Sequence, residues 1–270
     1  MTELVRSRTE DGIAHVTLDR PDKLNALTLD TLEQLVATAR RLHGDRTLRA
    51  VVLSGAGDAF CAGLDFATVL REPRRVAAAF APRPWRGTNT FQEACWAWRR
   101  LPVPVIAAVH GHCLGGGLQI ALSADFRITA PDATWSVLEA KWGIIPDMSG
   151  IQALSQQVGM DVAKRLTMTG ETVSGTEAVR LGLATQENLD PYAGALALAG
   201  TIAERSPDSV AAAKRLFNRT WSASDRRTFR WERLEQARLL LGANAAEARR
   251  AATRRERPAY RPRAGLDPRG

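Results

Sequence analysis

The sequence predicts an α/β fold, with repeated strand–strand–helix units to about residue 195 and a helical carboxy-terminal region after it. Two apolar runs predict buried strands. One is Val103 with residues 105–109, bounded by Pro102 and Pro104 before it and Gly111 after it; the other is 50–53 (AVVL). The third observation is the junction after the first run, where Gly115, Gly116 and Gly117 open a stretch with helical character, its apolar positions being Leu118, Ile120, Ala121 and Leu122.

In chain order, residues 4–8 and 13–18 alternate around Asp11-Gly12, the signature of a hairpin. Leu29, Leu32, Leu35, Val36 and Ala39 then recur at helical spacing behind Thr28, which predicts a helix over 28–42 with Thr28 as its N-cap. Residues 67–90 are rich in Arg and Pro, and 89–100 predicts a helix whose Phe91, Cys95, Trp96 and Trp98 are core or interface groups. Residues 125–130 read as a strand. From about Ser149 onward helices dominate, and four helical stretches follow Pro191.

The three glycines allow a close approach of backbone to ligand, and a helix start offers free N–H groups. A phosphate-cradling loop requires Lys followed by Ser or Thr, whereas Leu118-Gln119 follows here; a dinucleotide fingerprint requires a further glycine that is absent. Two uses remain: an oxyanion hole, or tight packing of the helix on the sheet. A second donor segment is available in residues 54–65, which follow the 50–53 strand. There is no G-x-S-x-G serine elbow, and Cys61 and Cys113 have no His beside them in a nucleophile–base pattern.

Composition narrows the function classes. A chain of 270 residues with 45% hydrophobic content can bury a sizeable core. It contains no apolar stretch of membrane-spanning length and no signal-peptide pattern, so a soluble, cytoplasmic protein is expected. Cys61, Cys95 and Cys113 are odd in number and lack C-x-x-C spacing, and His110 and His112 stand without further ligands, so neither a disulfide framework nor a metal site is expected. The net charge of +8 is concentrated at one end: residues 249–270 hold eight arginines against Glu256 and Asp267, which leaves about +2 for the rest. Such a Pro/Arg-rich tail is expected to be solvated and poorly ordered, with phosphate or anionic-surface binding as its second reading.

The motif GAGDAFCAGLD (55–65), followed by HGHCLGGGLQIALSADFRI (110–128), resembles the enoyl-CoA hydratase/isomerase (crotonase) superfamily. Further matches are Arg20-Pro21, Asn25-Ala26-Leu27, Glu139, Gly143-Ile144-Ile145-Pro146, Thr169-Gly170, Glu177-Ala178 and Leu181-Gly182-Leu183, so the resemblance spans about residues 3–240. It implies a crotonase-like spiral over 1–195, a helical oligomerisation or lid region over 196–248 and the basic tail over 249–270. It also implies a homotrimer or dimer of trimers, an acyl-CoA substrate, and no metal or cofactor beyond the CoA of the thioester. Leu64 and Gly116 are the implied oxyanion donors. Lys23, Leu24, Asn25, Ala26, Ala62, Gly63, Asp65 and Gly115 are implied around the substrate and its CoA, and residues 67–90 are implied to help cover the acyl pocket.

The implied catalytic groups distinguish reactions. Hydratases of the superfamily use two glutamates, one on the helix three residues after the oxyanion glycine and one in a later loop. Here the first position is Gln119, whose amide cannot shuttle a proton at neutral pH, and the second is Glu139. Asp147, eight positions after Glu139, resembles the spacing of the dienoyl-CoA isomerase branch, although that branch has an aspartate where Gln119 stands. The expectation is therefore double-bond isomerisation of an enoyl- or dienoyl-CoA with Glu139, Asp147 and Gln119 in the catalytic site, 2-enoyl-CoA hydration being the alternative. An alternative of another class is a non-catalytic acyl-CoA binder or an RNA-binding relative. The RNA-binding branch has a lysine-rich early helix, and 28–42 contains only Arg40 and Arg41 as cations.

Overall fold

The computed structural model describes residues 2–265. Among these, nine strands are formed: β1 (Val5–Glu10), β2 (Ile13–Leu18), β3 (Ala50–Gly55), β4 (Val105–Val109), β5 (His112–Leu114), β6 (Phe126–Thr129), β7 (Thr134–Ser136), β8 (Thr172–Ser174) and β9 (Gln186–Glu187). The helices are α1 (Leu29–Gly44), α2 (Phe66–Val69), α3 (Pro73–Phe80), α4 (Thr90–Arg99), α5 (Gly116–Ser123), α6 (Gly150–Gln157), α7 (Met160–Thr169), α8 (Gly175–Leu181), α9 (Pro191–Ala203), α10 (Pro207–Thr220), α11 (Asp225–Leu240) and α12 (Ala243–Arg254). A six-stranded sheet runs in the order β1-β2-β3-β4-β6-β9, and a three-stranded sheet in the order β5-β7-β8. The β1–β2 hairpin is antiparallel and turns at Asp11 and Gly12, both with positive φ; the rest of the large sheet is parallel.

The period of two in β3 and β4 divides the core. Val51, Leu53, Val105, Ala107 and Val109 join the main cluster with α1, α4 and α5, whereas Ala50, Val52, Ile106 and Ala108 meet Ala195 and Ala199 of α9 on the opposite face. A strand covered by helices on both faces needs an unbroken apolar run, which is what the sequence shows there. Helix α1 starts where expected, with Thr28 and Thr31 forming a reciprocal capping box, and α4 is capped likewise by Asn89 and Gln92. Phe91, Cys95 and Trp98 are buried as expected.

Two expectations change. Helix α9 runs through the division placed at 195/196, because its alanine face belongs to the sheet. The segment after residue 249 is largely exposed but, over its described part, tied to the fold, and its last five residues, 266–270, lie outside the described ones. Residues 249–254 continue α12, and Arg250 pairs with Glu247 and Glu256 at 2.8 and 2.6 Å. Beyond the helix, the backbone N–H groups of Ala259, Arg261, Arg263 and Ala264 donate to Glu247, Asn244, Arg46 and Asp208. Among the described residues no helix is long and apolar enough to cross a membrane.

Candidate active site

Three segments distant in sequence are joined through their backbones. Leu27 N–H donates to Gly63 carbonyl at 2.7 Å and Asp65 N–H to Leu27 carbonyl at 2.9 Å, so Leu27 and Leu64 form a parallel bridge. Cys61 N–H donates to His112 carbonyl at 2.8 Å and Leu114 N–H to Cys61 carbonyl at 3.0 Å, which forms a second parallel bridge between Cys61 and Cys113. These bonds bring residues 61–64 against the start of α5. A methyl group on Gly63 would lie 3.0 Å from Leu114 carbonyl and 3.6 Å from Gly116 nitrogen. Among the described residues neither Leu64 N–H nor Gly116 N–H donates to another backbone group, so both are free to meet a ligand oxygen.

Gly115 turns the chain into α5 at φ +50°, and Gly116 is already helical. A methyl on Gly115 would lie 3.4 Å from Glu139 Oε1, and one on Gly116 would lie 3.0 Å from Met148 Sδ and from Leu27 Cδ1. Gly115 therefore stands against Glu139, and Gly116 against the buried Leu27 and Met148. Gly117 performs the packing role, since a methyl there would fall 2.4 Å from Cys61 carbonyl oxygen.

Glu139 sits in the 3-10 turn Leu138–Trp142, which ends at Gly143 in the left-handed region. It is 7% exposed. Its Oε1 accepts from Gln119 Nε2 at 2.6 Å, while its Oε2 is buried and has no hydrogen-bond partner among the described residues. Burial raises its pKa above the ordinary carboxylate range, and the charge of Asp147 adds to that rise against the Gln119 hydrogen bond. Asp147 is likewise raised by burial. The two acids thus share one electrostatic environment, although no hydrogen bond links them.

Gln119 has a defined orientation. Gly150 N–H donates to its Oε1 at 2.9 Å, which leaves the Nε2 hydrogens for Glu139. Ser149, left-handed at φ 68°, precedes Gly150. A methyl on Gly150 would fall 2.5 Å from Gln119 Oε1. The amide is therefore a fixed bridge from the α6 amino terminus to the carboxylate. Gly150 and Met148 were not legible as site residues, because their partners lie some thirty positions away and no periodicity connects them.

The implied substrate contacts divide. Lys23 and Leu24 are exposed beside the site, and Ala26 and Ala62 are half-buried. Asn25 is 1% exposed: its Oδ1 accepts from Arg20 N–H at 2.8 Å, and its Nδ2 donates to Ala56 and Ala59 carbonyls at 2.8 and 2.7 Å. Asp65 caps α2 through Thr68 and pairs with Arg20 at 2.8 Å. Both side chains thus hold the loop together. Arg20 was missed as the residue linking that loop to Asp65. Phe66 and Trp142 stand beside each other with centroids 5.1 Å apart, two residues past Leu64 and three past Glu139.

A family model described as enoyl-CoA hydratase/isomerase matches residues 8–251. The chain is 35% identical to a short-chain-enoyl-CoA hydratase of Clostridium acetobutylicum over 213 residues, covering 78% of this chain and 79% of the relative. It is 30% identical to a peroxisomal Delta(3,5)-Delta(2,4)-dienoyl-CoA isomerase of Arabidopsis thaliana over 232 residues, covering 82% and 83%. Among solved structures, an enoyl-CoA hydratase from Bacillus anthracis superposes with a TM-score of 0.87 at 28% identity, over 95% of this chain and 98% of the other. One from Polaromonas sp. gives 0.86 at 27% identity, over 95% and 99%.

Proposed function

The chain belongs to the enoyl-CoA hydratase/isomerase family, and from that premise we propose that it moves a double bond along an enoyl- or dienoyl-CoA through an enolate. The observation that carries this reading is the bridge Gly150–Gln119–Glu139. It holds one oxygen of a buried carboxylate and leaves the other without a partner among the described residues, while the bridging amide itself has no proton to exchange. One carboxylate beside such an amide lacks the second acid/base group of two-glutamate hydration; Asp147 supplies an acid at another point of the same environment.

In the proposed reaction the thioester oxygen accepts from Leu64 and Gly116 N–H. Glu139 Oε2 removes a proton from the carbon next to the thioester carbonyl, and the electron pair moves into the enolate held by those two donors. Protonated Asp147 then delivers a proton to the far end of the conjugated system, and the double bond shifts without gain or loss of atoms. Burial raises the pKa of both acids, and the charge of Asp147 adds to the rise at Glu139, the direction that favours proton retention by an acid of the pair. The thioester brings the only CoA, and no further cofactor is required. Buried free Cys61, Cys95 and Cys113 suit a reducing cytoplasm, and the exposed apolar Phe217, Trp221 and Phe229 of the carboxy-terminal helices support a homotrimer or dimer of trimers.

The pH dependence follows from the signs of the two shifts. The base must be ionised and the acid protonated, so kcat/KM is expected to be bell-shaped, with its acid limb above the ordinary carboxylate range because burial raises Glu139. A profile flat from the ordinary carboxylate range to neutrality would contradict the assignment. Product analysis tests the reaction itself: with 2-enoyl-, 3-enoyl- and dienoyl-CoA in ordinary water, an isomer of unchanged mass is expected. A product heavier by one water would establish hydration instead, and binding without turnover would establish a binder.

A further inference from the structure

A second cavity of about 680 Å³ opens between the carboxy-terminal end of α4, helices α10 to α12 and the segment that ends the described chain. It shares no lining residue with the site around Glu139. Seven Lys and Arg residues line it against Asp208 and Glu235, and four of them are already paired: Arg100 with Glu93, Lys214 with Asp125, and Arg215 and Arg238 with Glu235. Both acids are already engaged: Asp208 accepts from Asn244 Nδ2 and Ala264 N–H at 2.9 and 2.7 Å, and Glu235 accepts two bonds from Arg215 at 2.9 and 2.6 Å.

Among the described residues Arg263 has no carboxylate partner. It is 3% exposed, and its backbone is fixed to Arg46 by two bonds, Arg263 N–H to Arg46 carbonyl at 2.9 Å and Arg46 Nε to Arg263 carbonyl at 2.7 Å. Its Nη2 donates to Asp45 carbonyl at 3.3 Å, while Nε and Nη1 are buried with no hydrogen-bond partner among the described residues. A buried guanidinium without a paired anion is costly to the fold. Two further cavity guanidiniums lie over indole rings, Arg99 5.0 Å from the Trp96 centroid and Arg219 3.9 Å from that of Trp231. Neither forms an ion pair among the described residues. Cation–π stacking orients the forks; Arg99 Nη2 donates to Gln156 Oε1, whereas the Arg219 fork has no hydrogen-bond partner among the described residues.

We propose that this cavity binds a phosphorylated small molecule, with Arg263 as the buried anchor and the Arg99–Trp96 and Arg219–Trp231 pairs as flanking contacts. Three guanidiniums without a carboxylate partner among the described residues, lining one cavity, suit the several oxygens of a phosphate better than a single carboxylate, and the volume exceeds that of a bare ion. The site is independent of the acyl-CoA reading, since it shares no residue with it.

Calorimetric titration of the full-length chain with inorganic pyrophosphate and with AMP tests the proposal, at low and physiological salt and with or without saturating CoA. Binding is expected in both backgrounds, weakening with salt. Tighter AMP than phosphate binding would assign the indoles to a ring-bearing ligand, whereas tighter pyrophosphate would assign the site to the phosphates alone; either supports the proposal. Arg263→Met is expected to weaken binding at least tenfold with an unliganded Tm equal to or above that of the unmutated protein. Arg219→Ala, at a surface helix, is expected to weaken it severalfold without affecting folding. Affinity unchanged in Arg263→Met, displacement of the probe by CoA, or no heat with either probe would overturn it.

Discussion

Glu139→Gln is expected to reduce kcat by about 10²–10⁴-fold on any thioester the enzyme isomerises, with little change in KM, because the substitution keeps the shape and removes the base. The Gln119 Nε2 bond to the side-chain oxygen can persist, so the site stays assembled. The same substitution is expected to raise Tm at neutral pH. Burial holds the Glu139 pKa above its unfolded value, so the folded state gains from protonation and loses stability as pH rises through the raised pKa. At neutral pH the native protein therefore contains a buried carboxylate with one unpartnered oxygen, and the neutral amide removes its charge. The stabilisation should shrink in acid, where the native carboxyl is protonated as well. Parallel thermal melts and kinetics check both halves: lost activity with higher Tm fits a base held at a cost to the fold, whereas lost activity with lower Tm would assign Glu139 a structural role.

Gly117→Ala is expected to damage both fold and catalysis. Alanine is the better helix former by about 1 kcal/mol in a helix interior, but the added methyl would fall 2.4 Å from Cys61 carbonyl oxygen and 2.7 Å from Cys61 Cβ. Cys61 cannot yield easily, since its N–H and carbonyl are both bound to the 112–114 strand. Helix α5 must then move away from residues 61–64, and overpacking of this kind costs about 1–3 kcal/mol or more. The same movement separates Leu64 N–H from Gly116 N–H, and losing one oxyanion donor typically costs about 10²–10³-fold in kcat. Gly200→Ala provides the contrast, because a methyl there meets nothing within 4 Å and sits inside α9. It is expected to leave kcat unchanged and to stabilise by about 0.5–1 kcal/mol.

What the sequence revealed follows the range of the interactions involved. The strands that form at 50–55 and 105–109, read from the runs at 50–53 and 103–109, the hairpin at Asp11-Gly12, the Thr28 cap of α1 and the span of α4 depend on neighbouring residues, and each was readable locally. The placement of Leu64 beside Gly116 was readable only through the motif order of a family, since it depends on two parallel bridges between separate segments. The loop ties made by Asn25 and Asp65 were illegible for a related reason: their partners Ala56, Ala59 and Arg20 lie some thirty to forty-five positions away, and no local pattern marks the pairing. The tail's ties were hidden from composition: its arginines find Glu247, Glu256 and Glu204 and its backbone finds Asn244 and Asp208, partners that charge counting cannot locate.

The central claim is that Glu139 exchanges a proton with carbon against an enolate held by Leu64 and Gly116. It is tested most directly by incubating the protein with a saturated acyl-CoA and with a 3-enoyl-CoA in D₂O and reading deuterium at the carbon next to the thioester carbonyl by mass spectrometry and NMR. The account predicts deuterium at that carbon with the carbon skeleton unchanged, and its loss in Glu139→Gln. Isomerisation or hydration without exchange at that carbon, or exchange undiminished in Glu139→Gln, would contradict it.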